Sequence, residues 1–253
     1  MERVLEIHDL YFSYHTLDGE TPALSNISFS LDKGEFVAVV GPSGCGKSTL
    51  LSLVAGLLTP ESGTIEMIAK ANVGYMLQHD ELFEWRNIYR NVLLGLEVQH
   101  MMTVKAKERA HHLLELYGLN QFEKSRPSEL SGGMRQRAAL IRTLVLDPEI
   151  LLLDEPFSAL DYQTRLTVGD DIGQIIRKEG KSALLVTHDL SEAISLADKV
   201  LILSHRPATL VQTLTLKFNL ERDTPLNRRN APEFKNYFNL IWKELNENEA
   251  SEQ

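Results

Sequence analysis

Gly41-Pro42-Ser43-Gly44-Cys45-Gly46-Lys47-Ser48-Thr49 has the spacing G-x-x-x-x-G-K-[ST] of a phosphate-binding loop. The chemistry needs these residue types. Glycines let the backbone take positive φ and approach a ligand closely, so that successive N–H groups point at one phosphate. Lys47 adds a compact charge for the β- and γ-phosphates, and the Ser48 hydroxyl is placed to ligate Mg²⁺. A helix that follows offers its positive N-terminal end. With average usage of Gly, Lys, Ser and Thr, a chance match in a chain of this length is roughly 1%. Further along, Asp154-Glu155 follows a run of apolar residues. Asp154 is placed to hold Mg²⁺ through water, because that ion binds few protein carboxylates. Glu155 is placed to orient and deprotonate a water attacking a γ-phosphate. The third stretch is Leu130-Ser131-Gly132-Gly133-Met134-Arg135-Gln136-Arg137. It sets a hydroxyl and free N–H groups at a helix start, as a second phosphate-binding device would. An ordinary helix N-cap explains Ser131 alone, but not two glycines followed by Arg135 and Arg137.

These residues need a scaffold, and the patterning supplies one. Residues 35–40 read as a buried strand leading into the glycine-rich loop, and Leu50, Leu51, Val54, Leu57 and Leu58 recur after it at helical spacing. Residues 150–153 and 182–187 are apolar runs of the kind expected for central parallel strands covered on both faces. Residues 4–14 and the alternating 27–31 predict a small antiparallel sheet at the N-terminus, closed by a turn at Asp32-Lys33-Gly34. Short strands are expected at 64–67 and 72–77, and later ones at 200–203 and 209–218. Residues 88–96, 104–117 and 132–146 carry helical periodicity. A helix at 192–197 has Asp189 as N-cap and Glu192 completing a capping box. Phe234, Tyr237, Phe238, Ile241 and Leu245 form one helical face, read first as core, and 246–253 reads as a frayed acidic tail. The chain is therefore expected to be one α/β domain. Its core is 1–81 and 148–253, and a helical subdomain at 82–147 is inserted between them.

Composition narrows the function classes. Hydrophobic residues are 43% and charged residues 24% of the 253, ordinary for a globular protein. A net charge of −9 argues against general affinity for nucleic acid. The single cysteine excludes an internal disulfide and suits a reducing compartment. No N-terminal stretch has signal-peptide character, and no apolar run approaches the roughly 18 residues that span a bilayer. A role at a membrane would need a membrane part from another chain. Cys45 sits at a variable position of the loop; a helix N-terminus lowers a thiol pKa, so Cys45 is expected to alkylate readily and to be protected by ATP.

Together these stretches resemble the ATP-binding cassette (ABC) ATPases along most of the chain. Residues 131–134 are similar to the family signature Leu-Ser-Gly-Gly-Gln, with Met134 in place of glutamine, as in the branch that imports nitrate, sulfonates, taurine and related solutes. Gln78 matches the Q-loop, Ser158-Ala159-Leu160-Asp161 the D-loop and His188 the switch histidine. The resemblance implies a P-loop NTPase fold with a RecA-like parallel core sheet, an N-terminal antiparallel β subdomain and an inserted helical subdomain. It implies ATP hydrolysis with Mg²⁺ held through Ser48, Gln78 and Asp154, and catalysis by Glu155, His188, Gln78 and Lys47. It implies that two cassettes pack head to tail, each ATP lying between one P-loop and the opposite Ser131, Gly132, Gly133 and Met134, with Asp161 reaching across. Tyr14 would stack on adenine. The partners implied are a second ATPase subunit and an integral membrane permease at the cytoplasmic face of the membrane, with a solute-binding protein engaged indirectly.

The chain departs from that branch in a short segment over 62–78 and in Glu84, where proline is usual. Two other classes compete. One is a non-transport ABC ATPase, such as a DNA-repair or Fe–S assembly factor, of which those with DNA roles carry coiled coils or zinc modules that are not evident here; the other, a small-molecule kinase, has no use for the Ser-Gly-Gly stretch. A hydrolase triad of Ser131, His188 and Asp189 is rejected because G-x-S-x-G is absent around Ser131.

Overall fold

The computed structural model describes residues 2–17, 19–67 and 72–250, with 247–250 described by backbone alone. Strands β1 (Arg3–Thr16) and β2 (Gly19–Asp32) form a long hairpin, then β3 (Phe36–Val40) leads through the glycine-rich loop into α1 (Lys47–Val54). β4 (Ser62–Met67) pairs antiparallel with β1 and completes a three-stranded sheet in the order β2-β1-β4. The hairpin is longer than the predicted 4–14 and 27–31 because Phe12 to Thr16 go on pairing with Leu24 to Gly19 beyond the alternating stretch. The shortened 62–78 segment includes residues 68–71, which lie outside the described residues.

β5 (Val73–Met76) opens the second sheet. Helices then follow without a strand among the described residues until β6 (Ile150–Asp154): α2 (Ile88–Val92), α3 (Leu94–Val98), α4 (Val104–Leu116) and α5 (Gly132–Leu144), with 3₁₀ turns at Asn120–Phe122 and Pro127–Glu129. The single helix expected over 88–96 is two, parted at Leu93. After β6 come α6 (Tyr162–Lys178), β7 (Ser182–Val186), α7 (Leu190–Leu196), β8 (Lys199–Leu203), β9 (Leu210–Thr215), α8 (Pro225–Asn230) and α9 (Pro232–Ala250). The tail expected to fray from 246 is helical as far as Ala250, and 251–253 lie outside the described residues.

The second sheet has the order β5-β6-β7-β3-β8-β9, parallel except for β9. Its edge strand β9 alternates with exposed residues, whereas the central strands β3, β6 and β7 are buried on both faces, which is why they are apolar without alternation. Their side chains still divide by face with period two. Val37, Val39, Ile150, Leu152, Leu184 and Val186 join the core beneath the antiparallel sheet and α1. Phe36, Ala38, Val40, Leu151, Leu153, Ala183 and Leu185 join the core under α5, α6 and α7. Ile241 of α9 is fully buried in this second core, and Phe234, Tyr237, Phe238 and Leu245 pack against it, so the terminal stripe is core as expected.

Candidate functional site

Parallel pairing brings the C-terminal ends of β5, β6, β7 and β3 to one edge of the sheet, where open α/β sheets bind ligands. The glycine-rich loop, Gln78, Asp154-Glu155 and His188 all leave the sheet there. In the loop, Gly44 and Gly46 have φ of +74° and +122°, backbone that side chains with a Cβ resist. A Cβ on Gly46 would also stand 3.0 Å from the Ala23 carbonyl of β2, so the turn is pressed against the neighbouring sheet. Lys47 is buried, and its Nζ donates to the carbonyls of Gly41 and Pro42 at 2.8 Å each. That satisfies a buried ammonium without an acid.

Ser48 Oγ donates to Asp154 Oδ1 at 3.0 Å, and the Tyr75 hydroxyl donates to Oδ2 at 3.3 Å. Burial raises the Asp154 carboxyl above its ordinary range, with these two hydrogen bonds pulling the other way. The Tyr75 phenol is pushed up to about 12 by burial and by the Asp154 charge, so it stays a donor. Glu155 occupies the left-handed region at φ +43°, a position that costs a residue with a Cβ about 1–2 kcal/mol. Contacts from three residues hold it there. Its N–H donates to Val186 O at 2.9 Å, its carbonyl accepts from Ser158 N at 3.1 Å, and Oε2 lies 3.0 Å from His188 Nδ1. A carboxylate only accepts, so Nδ1 carries the proton. Gln78 Nε2 donates to Ser158 Oγ at 3.4 Å.

Behind His188, Asp189 caps α7 by accepting from the N–H groups of Ser191 and Glu192. The expected capping box is only half made. Glu192 Oε2 accepts instead from Thr187 Oγ1 at 2.6 Å, because the side chain turns inward and needs a donor there. Burial pushes its carboxyl up to about 7.

A cavity of about 320 Å³ lies over the loop, lined by Ser43, Gly44, Gly46, Lys47, Ser48 and Thr49 with Ala23, Glu155 and Arg206. Tyr14 is part-exposed on β1, its hydroxyl 3.0 Å from Thr49 Oγ1, which ties its ring to the same loop. The Ser48 hydroxyl and the Asp154 carboxylate, side by side at the loop, are the hard oxygen donors that fit Mg²⁺, Ser48 directly and Asp154 through water.

Ser131, Gly132, Gly133, Met134 and Asp161 do not line that cavity. Ser131 Oγ caps α5 by accepting from Met134 N at 3.3 Å, and Asp161 caps α6 by accepting from Thr164 N at 3.1 Å. The glycines have a steric reason of their own. A Cβ on Gly132 would stand 3.0 Å from Leu160 Cδ2, and one on Gly133 2.7 Å from Val168 Cγ2. The expectation for Cys45 is overturned. Its side chain is buried in the core beneath the antiparallel sheet, and desolvation raises the thiol despite nearby Lys47. Motif reading also missed Tyr75, Ser158 as the partner of Gln78, and Arg206 in the cavity wall.

The profile of the ABC transporter family matches residues 24–158. The chain is 44% identical to the uncharacterized ABC transporter ATP-binding protein YtlC of Bacillus subtilis (strain 168), over 98% of each chain. It is 41% identical to the nitrate import ATP-binding protein NrtD of Synechocystis (strain PCC 6803), over 98% of this chain and 97% of that one. A dimeric post-hydrolysis ATP-binding cassette bound to ADP and Pi superposes with a TM-score of 0.71 at 26% identity, covering 84% of this chain and 99% of that one. The chain belongs to the ABC transporter family, as an ATP-binding subunit with ATPase activity and the P-loop fold.

Proposed function

We propose that this chain hydrolyses ATP to energise uptake of a small solute, nitrate-, sulfonate- or taurine-like, through a separate membrane permease. The observation that carries the chemistry is Glu155, fixed by Val186 and His188 in the wall of the cavity that Lys47 also lines. Lys47 would exchange the Gly41 and Pro42 carbonyls for phosphate oxygens. The loop N–H groups and Thr49 would hold the phosphate chain, and Tyr14 would take the adenine. Glu155 would accept the proton of the attacking water. His188 would fix the carboxylate's orientation and contact the γ-phosphate. Ser48, Asp154 and Gln78 would hold Mg²⁺, which neutralises phosphate charge when bound.

The cavity is open, so the γ-phosphate needs a further wall. Ser131, Gly132, Gly133 and Met134 of a second copy packed head to tail would supply it, with Asp161 beside the same interface. The dimeric arrangement of the ADP-bound relative supports this reading. The helices within 82–147 form the subdomain that carries the signature and would receive a coupling helix of the permease. Trp85, Val98 and Val104 are exposed there. No helix among the described residues is long and apolar enough to cross a membrane, in keeping with a subunit docked at the cytoplasmic face. The resemblance to the nitrate importer over nearly the whole chain favours transport over a DNA-directed ATPase or a kinase. The test is purification of the tagged chain from detergent-solubilised membranes. An integral membrane protein should co-purify, and the reconstituted complex should take up nitrate, taurine or an alkanesulfonate only with ATP. A chain found solely with soluble partners would contradict the proposal.

A further inference from the structure

The wall of the phosphate cavity contains two cations, Lys47 and Arg206. Lys47 is tied to the loop's own carbonyls. Arg206 lies in the segment between β8 and β9, which belongs to none of the motifs above. That segment is fastened across the hairpin: Ala208 N donates to Ala23 O and Ser25 N to Ala208 O, each at 2.9 Å. Ser204 closes it internally, its N–H donating to Thr209 O at 3.0 Å and its Oγ accepting from Thr209 N at 2.8 Å. Its root is fixed too, since Leu203 O lies 3.2 Å from where a Gly41 Cβ would be.

On this base Arg206 Nε donates to Pro22 O at 3.0 Å, which aims the guanidinium. Arg206 is exposed, and among the described residues neither Nη has a hydrogen-bond partner and no carboxylate forms a salt bridge with it. Glu155, the acid in the same wall, is engaged with His188. Ala23, beside Pro22, is the residue that Gly46 presses against, so the Arg206 anchor and the phosphate loop share one backbone support. An aimed guanidinium with free forked donors at the mouth of a phosphate cavity matches a phosphate group.

We infer that Arg206 is a nucleotide-binding residue, contacting the phosphate chain shared by ATP and ADP from the cavity wall. The inference rests on the nucleotide reading of this cavity and extends it to a residue outside its motifs. Equilibrium binding of ATP, ADP and adenosine to the full chain, for the wild type, Arg206→Ala and Arg206→Lys, tests it. Arg206→Ala should weaken ATP and ADP by about 10- to 100-fold, as loss of a charge-assisted contact does, and adenosine by less than twofold. Arg206→Lys should recover part of the loss, and the salt dependence of ATP binding should be shallower in Arg206→Ala. Unchanged ATP affinity in Arg206→Ala, with the wild type binding normally, would overturn the inference and leave the cavity's assignment standing. Equal losses for ATP and adenosine would overturn the phosphate contact, marking a structural or base-directed role. A wild type that bound no ATP would overturn the nucleotide site, and this inference with it.

Discussion

At the P-loop edge of the sheet, Lys47, Ser48, Asp154, Glu155 and His188 each have a hydrogen-bond partner in the P-loop or at a neighbouring strand end. At the start of α5, the Ser131 side chain has one partner, the N–H of Met134 in its own helix. Both regions present glycines, for different reasons. Gly44 and Gly46 take backbone angles that a Cβ resists, and both line the open cavity. Gly132 and Gly133 have no positive φ; they are small because Leu160 and Val168 leave no room. The first region is a receptacle built from one chain and open on one side. The second is a helix end packed against α6 at Val168 and lying off that cavity. The proposed head-to-tail pairing would give that helix end a purpose.

The sharpest way to break the comparison is Glu155→Gln. It should cut hydrolysis by about 10²–10⁴, as loss of a general base does, while ATP still binds. Turnover at the parent rate, measured by phosphate release, would remove Glu155 from that role.

The next effect concerns the wall behind His188. The Glu192 carboxyl is raised to about 7 by burial, so between the unfolded value of 4.5 and that point the folded state holds the proton more tightly. Its contribution is therefore fully present at low pH, and stability falls as pH rises through 7, by on the order of 3 kcal/mol in all. Glu192→Gln should gain on the wild type between pH 5 and pH 8 by up to that amount in denaturant titrations. A difference independent of pH would show that Glu192 titrates normally.

A smaller effect is expected at the other region. Gly133→Val would push a Cβ into Val168 and should cost about 1–3 kcal/mol of stability, as overpacking does. ATP binding to the isolated subunit should change by less than twofold, because Gly133 does not line its own chain's cavity. A large loss of binding in the monomer would erase the distinction between the two regions.

Motif residues were legible because each is written in a contiguous stretch whose backbone carries the chemistry: Gly44, Lys47 and Ser48 in one turn, Asp154 and Glu155 at one strand end. The parallel core was legible for a related reason, since strands covered on both faces must be apolar throughout. Tyr75 and Arg206 were not, because each reaches the site from a separate element through tertiary contacts alone. Cys45 was misread because the field at a helix start is visible in sequence, whereas burial against the antiparallel sheet is not. The break between α2 and α3 at Leu93 was invisible for want of a proline or glycine at that residue. Glu192 fits the capping pattern by spacing, and only the fold shows that Thr187 takes its carboxylate.

The central claim is that each catalytic site needs two copies of the chain. ATPase activity per mole of subunit, measured against subunit concentration at saturating ATP and Mg²⁺, tests it most directly. Specific activity should rise with concentration, in step with dimer formed as monitored by light scattering, and fall towards zero on dilution to monomer. A specific activity that stayed constant down to dilutions where only monomer remains would contradict the claim, because one chain would then close its own site.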